Sequence, residues 1–248
     1  MFQSLVRNFL IRRNLAALTP RAALVDMDGT LYDSMQNHAT AWYQLMNELG
    51  VKCDRDEFFL YEGRTGRSTI NLLFNRELGR DATPEEVEKY YHRKTELFNL
   101  LPPPGPMPGA AEILSLFKEV GMKIVLVTGS GQHSLIDRLT TDFPGIFTPD
   151  LMVTAADVTH GKPHPEPYIR AMQKAGVRPS MSIALENAPL GVESAIRAGV
   201  FTVAVTTGPI PRKAFEEVNA SVIFNSMPEA ARDMPTLLLA MLATRVDK

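Results

Sequence analysis

The sequence predicts an α/β fold: a Rossmann-like, doubly wound parallel sheet with an inserted all-α cap. Three observations carry this expectation. Short apolar runs ending in turn or polar residues alternate with helix-period stretches along most of the chain, the pattern of parallel βαβ units covered on both faces. The alternation fails between about Ser34 and Leu101, where helical periodicity continues without a convincing strand. The polar residues that follow the strands are also unevenly spaced: Asp26 to Thr128 is 102 positions, Thr128 to Lys162 is 34 and Lys162 to Glu186 is 24. One interval thus holds about 70 residues that a βα crossover does not need.

Phe2, Leu5, Val6, Phe9, Leu10 and Ile11 recur at helical spacing, and Arg7, Arg12 and Arg13 interrupt what would have to be the apolar core of an export signal. Residues 1–20 therefore read as an amphipathic helix or tail at the periphery. Strands are expected at 22–25, 123–127, 151–153, 183–185 and 201–205, with an edge strand at 222–224. Helices are expected at 110–120, 166–175 and 189–198, and a closing helix at 229–243. Within the interruption, helical periodicity covers 38–49, 67–78 and 84–98. Thr83 with Glu86 has the pattern of a capping box, with Pro84 at the first helical position. Gly50 and Gly79 stand where helices should stop. The run Pro102, Pro103, Pro104, Gly105, Pro106 reads as a stiff return linker. The expected division is a core of 21–33 and 102–248 around a helical cap of 34–101.

Composition narrows the function classes. At 248 residues, 45% hydrophobic and 22% charged, the chain is an ordinary globular one. Its formal net charge of −2 offers no basic field for nucleic acid. A single cysteine, Cys53, leaves no disulfide or zinc cluster and reads as a small buried hydrophobe. No apolar run approaches the roughly 18 residues of a membrane span. The expectation is a cytoplasmic protein, monomer or homodimer, with neither nucleic acid nor membrane as partner.

Four segments follow directly on predicted strands, where open α/β sheets bind ligands. They are Asp26-Met27-Asp28-Gly29-Thr30, Thr128-Gly129-Ser130, Gly161-Lys162-Pro163 and Glu186-Asn187. Singly each is an ordinary turn. In this order they are the parts for moving a phosphoryl group through a carboxylate. Asp26 could attack phosphorus, and Asp28, two positions on, could protonate the leaving oxygen and then deprotonate water. Gly29 permits the tight turn. The Thr128 hydroxyl and the N–H groups of Gly129 and Ser130 suit phosphoryl oxygens, and Lys162 supplies a point charge. Asp26, Asp28 and Glu186 converging on a phosphate dianion would need a cation, and Mg²⁺ with oxygen ligands fits that need.

With these residues in place, the sequence resembles the haloacid dehalogenase superfamily of phosphohydrolases, in its branch with a helical cap after the first motif, the β-phosphoglucomutase-like enzymes. The resemblance spans about Arg21 to Pro211. It implies that Asp26 is nucleophile and metal ligand, and that Asp28 is general acid/base with a ligating backbone carbonyl. It also implies Thr128 and Lys162 as catalytic, and Glu186 and Asn187 as metal ligands. The family's usual pair at the last position is Glu-Asp, so Asn187 is a departure that removes one negative charge from the metal site. The second Asp of the first motif, here Asp28, is lacking in true dehalogenases, which speaks against dehalogenation.

The implied activity is a Mg²⁺-dependent phosphatase acting on a small phosphorylated metabolite. A phosphomutase, an inorganic pyrophosphatase and a non-catalytic phosphate-ligand-binding protein are the alternatives. The segment Glu62-Gly63-Arg64-Thr65-Gly66-Arg67 resembles the cap loop that faces the site, so Arg64 and Arg67 are the expected substrate contacts. Glu62 stands near where the mutase has a substrate-contacting lysine, which speaks against a bisphosphate sugar mutase. Tyr91, His92, Arg93 and Lys94 read as a solvated helix face, and His38 and His133 as ordinary surface or helix residues. His160 and His164 border the Lys162 segment and are expected near the site without being ligands.

Overall fold

The computed structural model describes residues 1–131 and 133–246. Six strands form one sheet: β1 (Ala22–Val25), β2 (Lys123–Val127), β3 (Met152–Val153), β4 (Ser182–Glu186), β5 (Phe201–Val205) and β6 (Val222–Phe224). All pairs are parallel, and the spatial order is β3-β2-β1-β4-β5-β6. Val25 lies opposite both Leu126 and Leu185. The register therefore brings the residues just beyond β1, β2 and β4 to one edge of the sheet, where the order reverses between halves.

The helices are α1 (Phe2–Arg13), α2 (Met35–Glu48), α3 (Gly66–Leu78), α4 (Pro84–Asn99), α5 (Ala110–Glu119), α6 (His133–Ile136), α7 (Leu139–Asp142), α8 (Glu166–Ala175), α9 (Pro189–Arg197), α10 (Arg212–Glu217) and α11 (Met227–Ala243). Successive residues of β1 point to opposite cores, as a strand must. Ala23 and Val25 join the cluster holding Phe9 and Leu10 of α1, Phe117 of α5 and Leu237 of α11. Ala22 and Leu24 join the cluster holding Tyr168, Ala171 and Met172 of α8. The chain's first helix is part of the core: Val6, Phe9 and Leu10 are buried, and the Phe9 ring meets Phe201 of β5 edge-on at 5.1 Å.

No strand falls between β1 and β2 among the described residues. Instead α2, α3 and α4 pack together through Trp42, Leu45, Ile70, Leu73, Phe74 and Phe98. The Thr83–Glu86 capping box forms with Pro84 in the first turn, and Gly79 closes α3 in the left-handed conformation. The two crossings between this helical unit and the sheet run side by side, with Asp33 N–H donating to Gly105 O at 3.0 Å and Met107 N–H to Leu31 O at 2.8 Å. α11 starts two residues earlier than its apolar pattern suggests, because the Ser226 side chain caps it by accepting from Glu229 N–H. Cys53 is half-buried rather than buried.

Candidate active site

Asp26 continues the ladder beyond β1, its N–H donating to Leu185 O at 3.0 Å. Its Oδ1 lies 2.6 Å from Lys162 Nζ, which also donates to Glu186 Oε1 at 2.5 Å and Val127 O at 3.1 Å. Lys162 is 2% exposed. Burial alone would lower its pKa, but the carboxylates of Asp26 and Glu186 push it up, so it stays a cation. Burial raises Asp26 to about 8, Glu186 adds to the rise, and Lys162 opposes it. One lysine does not balance the negative charge collected here.

Glu186 is fully buried and turned toward the protein. Its Oε1 accepts from Lys162 and from Tyr168 Oη at 2.7 Å, and its Oε2 from the N–H groups of Asn187 and Ala188 at 3.1 and 3.2 Å. Against the expectation of a metal ligand, this geometry makes Glu186 the anchor of Lys162, because its lone pairs already have donors. Asn187 is placed differently. Thr30 Oγ1 lies 3.3 Å from Asp26 Oδ2 and 3.4 Å from Asn187 Oδ1, so these two oxygens converge. The Asn187 amide nitrogen donates to Met35 Sδ at 3.3 Å, which leaves its oxygen facing the Thr30 hydroxyl. A carboxylate oxygen and an amide oxygen gathered around one hydroxyl, where negative charge is in excess, fit a hard divalent cation. Gly29 makes this approach possible: it has φ +79°, and a Cβ there would strike the Asn187 amide.

Asp28 is held by two residues that the sequence reading passed over. Ser34 Oγ donates to its Oδ1 at 2.7 Å, and His38 Nε2 lies 2.8 Å from the same oxygen. His38 Nδ1 in turn lies 2.6 Å from Lys94 Nζ. Burial would raise Asp28, but His38, Ser34 and Lys94 together hold it below the usual carboxylate range. His38 is pushed down by burial and by Lys94, and so is neutral. Thus His38 is no ordinary surface residue and Lys94 does not lie on a solvated face; both are buried at the cap–core junction. The clue in the sequence is position. His38 shares the apolar stripe of Trp42 and Leu45, and Lys94 that of Leu97 and Phe98.

Beyond β2, Thr128 Oγ1 accepts from Ser130 N–H at 3.0 Å. The cap is closed on this loop. A Cβ on Gly129 would collide with the Gly63 carbonyl, and Gly131 N–H donates to Tyr91 Oη at 2.8 Å. Beneath lies a cavity of about 40 Å³ lined by Asp26, Asp28, Thr128, Gly129, Ser130, Glu62, Arg64 and Lys94. Arg64 bonds Ser68 through Nη1 at 3.0 Å, and its buried Nε has no partner among the described residues. Arg67 is exposed and lines a separate groove with Val87 and Glu88, so the structure does not bring it to this cavity. The carboxyl of Glu62 is pushed well above its ordinary range by burial and by Asp28 and Asp26. His92 stays exposed on α4, and Arg93, half-buried, pairs with Glu48 and Glu96. The side chain of His133 lies outside the described residues.

This arrangement has counterparts among known proteins. The model of the haloacid dehalogenase-like hydrolase family matches residues 23–205. The chain belongs to that family. The validoxylamine A 7'-phosphate phosphatase of Streptomyces hygroscopicus subsp. limoneus is 31% identical over 75% of this chain and 86% of its own. Hexitol phosphatase B of Escherichia coli K12 is 30% identical over 87% of this chain and 98% of its own. A solved structure of a candidate beta-phosphoglucomutase from Bacteroides vulgatus superposes with TM-score 0.94 at 46% identity, covering 97% of this chain and 98% of that one. This haloacid dehalogenase-like hydrolase thus stands among phosphatases and phosphomutases. α1 and α11 lie outside the matched residues yet form part of its core.

Proposed function

We propose that the protein is a Mg²⁺-dependent phosphohydrolase of a small phosphorylated compound, working through a phospho-Asp26 intermediate. The observation that carries this is two buried carboxylates in one cavity with opposite settings: Asp26 bonded to Lys162 at 2.6 Å, and Asp28 bonded to His38 at 2.8 Å. Asp26 and Asn187, with the Asp28 carbonyl that the family resemblance implies, would hold the cation. Bound Mg²⁺ supplies the charge that lets a phosphate dianion approach carboxylates.

In the first half-reaction an Asp26 oxygen bonds to phosphorus, the bond to the leaving oxygen breaks, and Asp28 gives that oxygen its proton. Asp28 rests ionised; an arriving phosphate dianion raises its pKa by repulsion, so that it takes up a proton from solvent before the transfer, while Asp26 would be held in its ionised, nucleophilic form by a bound Mg²⁺. In the second half Asp28 takes a proton from water as the water oxygen attacks phosphorus, releasing phosphate and restoring Asp26. Lys162 neutralises the transferring group, and Thr128 with the N–H groups beyond it receives its oxygens. Asp26→Asn should abolish phosphate release from every substrate while leaving the fold intact, and EDTA should remove activity that Mg²⁺ restores. Turnover persisting in Asp26→Asn would end the proposal.

A second reading concerns the leaving group. The relatives' names point to sugar and polyol phosphates, whereas the small cavity of about 40 Å³ under the cap favours a compact leaving group such as the second phosphate of inorganic pyrophosphate, to which the Glu62 carboxyl, kept protonated by burial, can donate a hydrogen bond. Comparing kcat/KM for pyrophosphate, hexitol phosphates and hexose 1-phosphate, while following both free phosphate and sugar 6-phosphate, separates pyrophosphatase, sugar phosphatase and mutase.

A further inference from the structure

Apart from the cavity, His160, His164 and Glu166 form a cluster of metal-ligating side chains among the described residues. One donor atom from each lies within 4.8 Å of the others. The two imidazole rings face each other with centroids 4.7 Å apart and planes 36° apart. Glu166, the first residue of α8, is fixed by backbone donors. Its Oε2 accepts from His160 N–H at 2.9 Å, and its Oε1 from Thr159 N–H at 3.2 Å and from the exposed Arg170 Nη2 at 3.2 Å, so Oε2 is the oxygen that a metal replacing the His160 ring proton would reach. His160 Nδ1 lies 3.2 Å from Glu166 Oε2. A cation between them would take the place of the proton on Nδ1, since 3.2 Å is the spacing of two ligand atoms on one metal. His164 Nδ1 accepts Glu166 N–H at 3.2 Å, a long bond that a metal at that nitrogen would replace. Ser194 Oγ secures this turn by donating to His164 O at 2.6 Å.

We propose that His160, His164 and Glu166 bind one borderline divalent cation, Zn²⁺, Co²⁺ or Ni²⁺, at a site distinct from the oxygen ligands around Asp26. Two imidazoles and a carboxylate suit such a metal, with water completing the shell, whereas Mg²⁺ selects oxygen donors. Both histidines are exposed, so side-chain rotation alone can draw the donors in to bond lengths of about 2.0–2.2 Å. The two imidazoles flank Lys162 two positions to either side. A bound cation would thus tie together the segment from which the buried lysine departs.

The test is equilibrium dialysis of the full chain against Zn²⁺ in excess Mg²⁺, with Co²⁺ absorption as the spectroscopic readout. The parent and Asp26→Asn should each retain one equivalent of Zn²⁺ and show imidazole-ligated Co²⁺ bands. A His160→Gln/His164→Gln double variant should lose both while keeping its circular dichroism and Mg²⁺-supported turnover. If that double variant does not fold, His160→Ala alone should weaken Zn²⁺ binding at least tenfold. Failure of the parent to retain Zn²⁺, retention by the histidine variants, or loss in Asp26→Asn would overturn the site.

Discussion

Lys94 Nζ lies 2.6 Å from Nδ1 of His38, although the two residues are 56 positions apart on different cap helices. Burial lowers Lys94 to about 8, while Asp28 and Glu62 oppose the shift. Since His38 passes the contact on to Asp28 Oδ1, the acid/base carboxylate is positioned from the cap rather than from the sheet. Lys94→Met should therefore lower kcat by about 10²-fold, the scale of a positioned general acid–base, with a much smaller change in KM. Steady-state kinetics would show it, and a variant with parental kcat would detach the lysine from Asp28.

The neutral His38 makes stability pH-dependent in a definite direction. Its folded pKa is lowered from the ordinary value of 6.5 by burial and Lys94. Below pH 6.5 the unfolded chain therefore binds a proton that the folded chain refuses. The stability is fully present above 6.5 and is lost as pH falls toward the folded pKa, at a slope approaching about 1.4 kcal/mol per pH unit. Urea denaturation between pH 7.5 and 5 should show this loss, and His38→Gln should flatten it. Asp28, whose folded pKa is also lowered, acts only at more acidic pH.

Asn187→Asp would place a second charged oxygen beside Asp26 Oδ2. With more ligand charge, Mg²⁺ should bind roughly tenfold more tightly. Activity measured against Mg²⁺ concentration checks this, and an unchanged half-saturation point would remove Asn187 from the ligand set.

Tyr91 Oη receives Gly131 N–H across the cap–core seam at 2.8 Å. Phenylalanine keeps the ring and loses the acceptor, at a cost of about 1 kcal/mol, equivalent to roughly fivefold in the closing equilibrium. Tyr91→Phe should lower kcat/KM by that factor, and its melting temperature should stay near that of the parent.

Phe9 is 2% exposed in α1, against Phe201. Phe9→Ala should cost about 3–5 kcal/mol of folding stability by leaving a cavity. Chemical denaturation measures it. A loss under about 1 kcal/mol would mean that α1 only rests on the surface.

Much of the fold was legible because its signals are local. The strands at 22–25, 123–127, 201–205 and 222–224 occur at the expected positions, since each is a buried apolar run closed by a turn. The cap's helix limits were readable from Thr83, Pro84 and Gly79, whose capping chemistry is complete within one turn. His38 and Lys94 escaped for the opposite reason. A charged residue on a helix usually meets water, and only the closing of α2 and α4 over Asp28 makes these two interior.

By itself the sequence determined that a parallel α/β sheet carries an inserted helical unit, and which four segments end beside one another. Alternating hydrophobicity and the order of strand-end motifs suffice for that, because both are written along the chain. Only the tertiary structure decided how the charges there divide their work. Lys162 bridges Asp26 and Glu186, Glu186 is spent on Lys162, Tyr168 and two backbone N–H groups, and the Asn187 oxygen is placed beside the Thr30 hydroxyl that also meets Asp26. Such assignments depend on distances of about 3 Å between residues that lie up to 157 positions apart, where hydrogen bonding is decided.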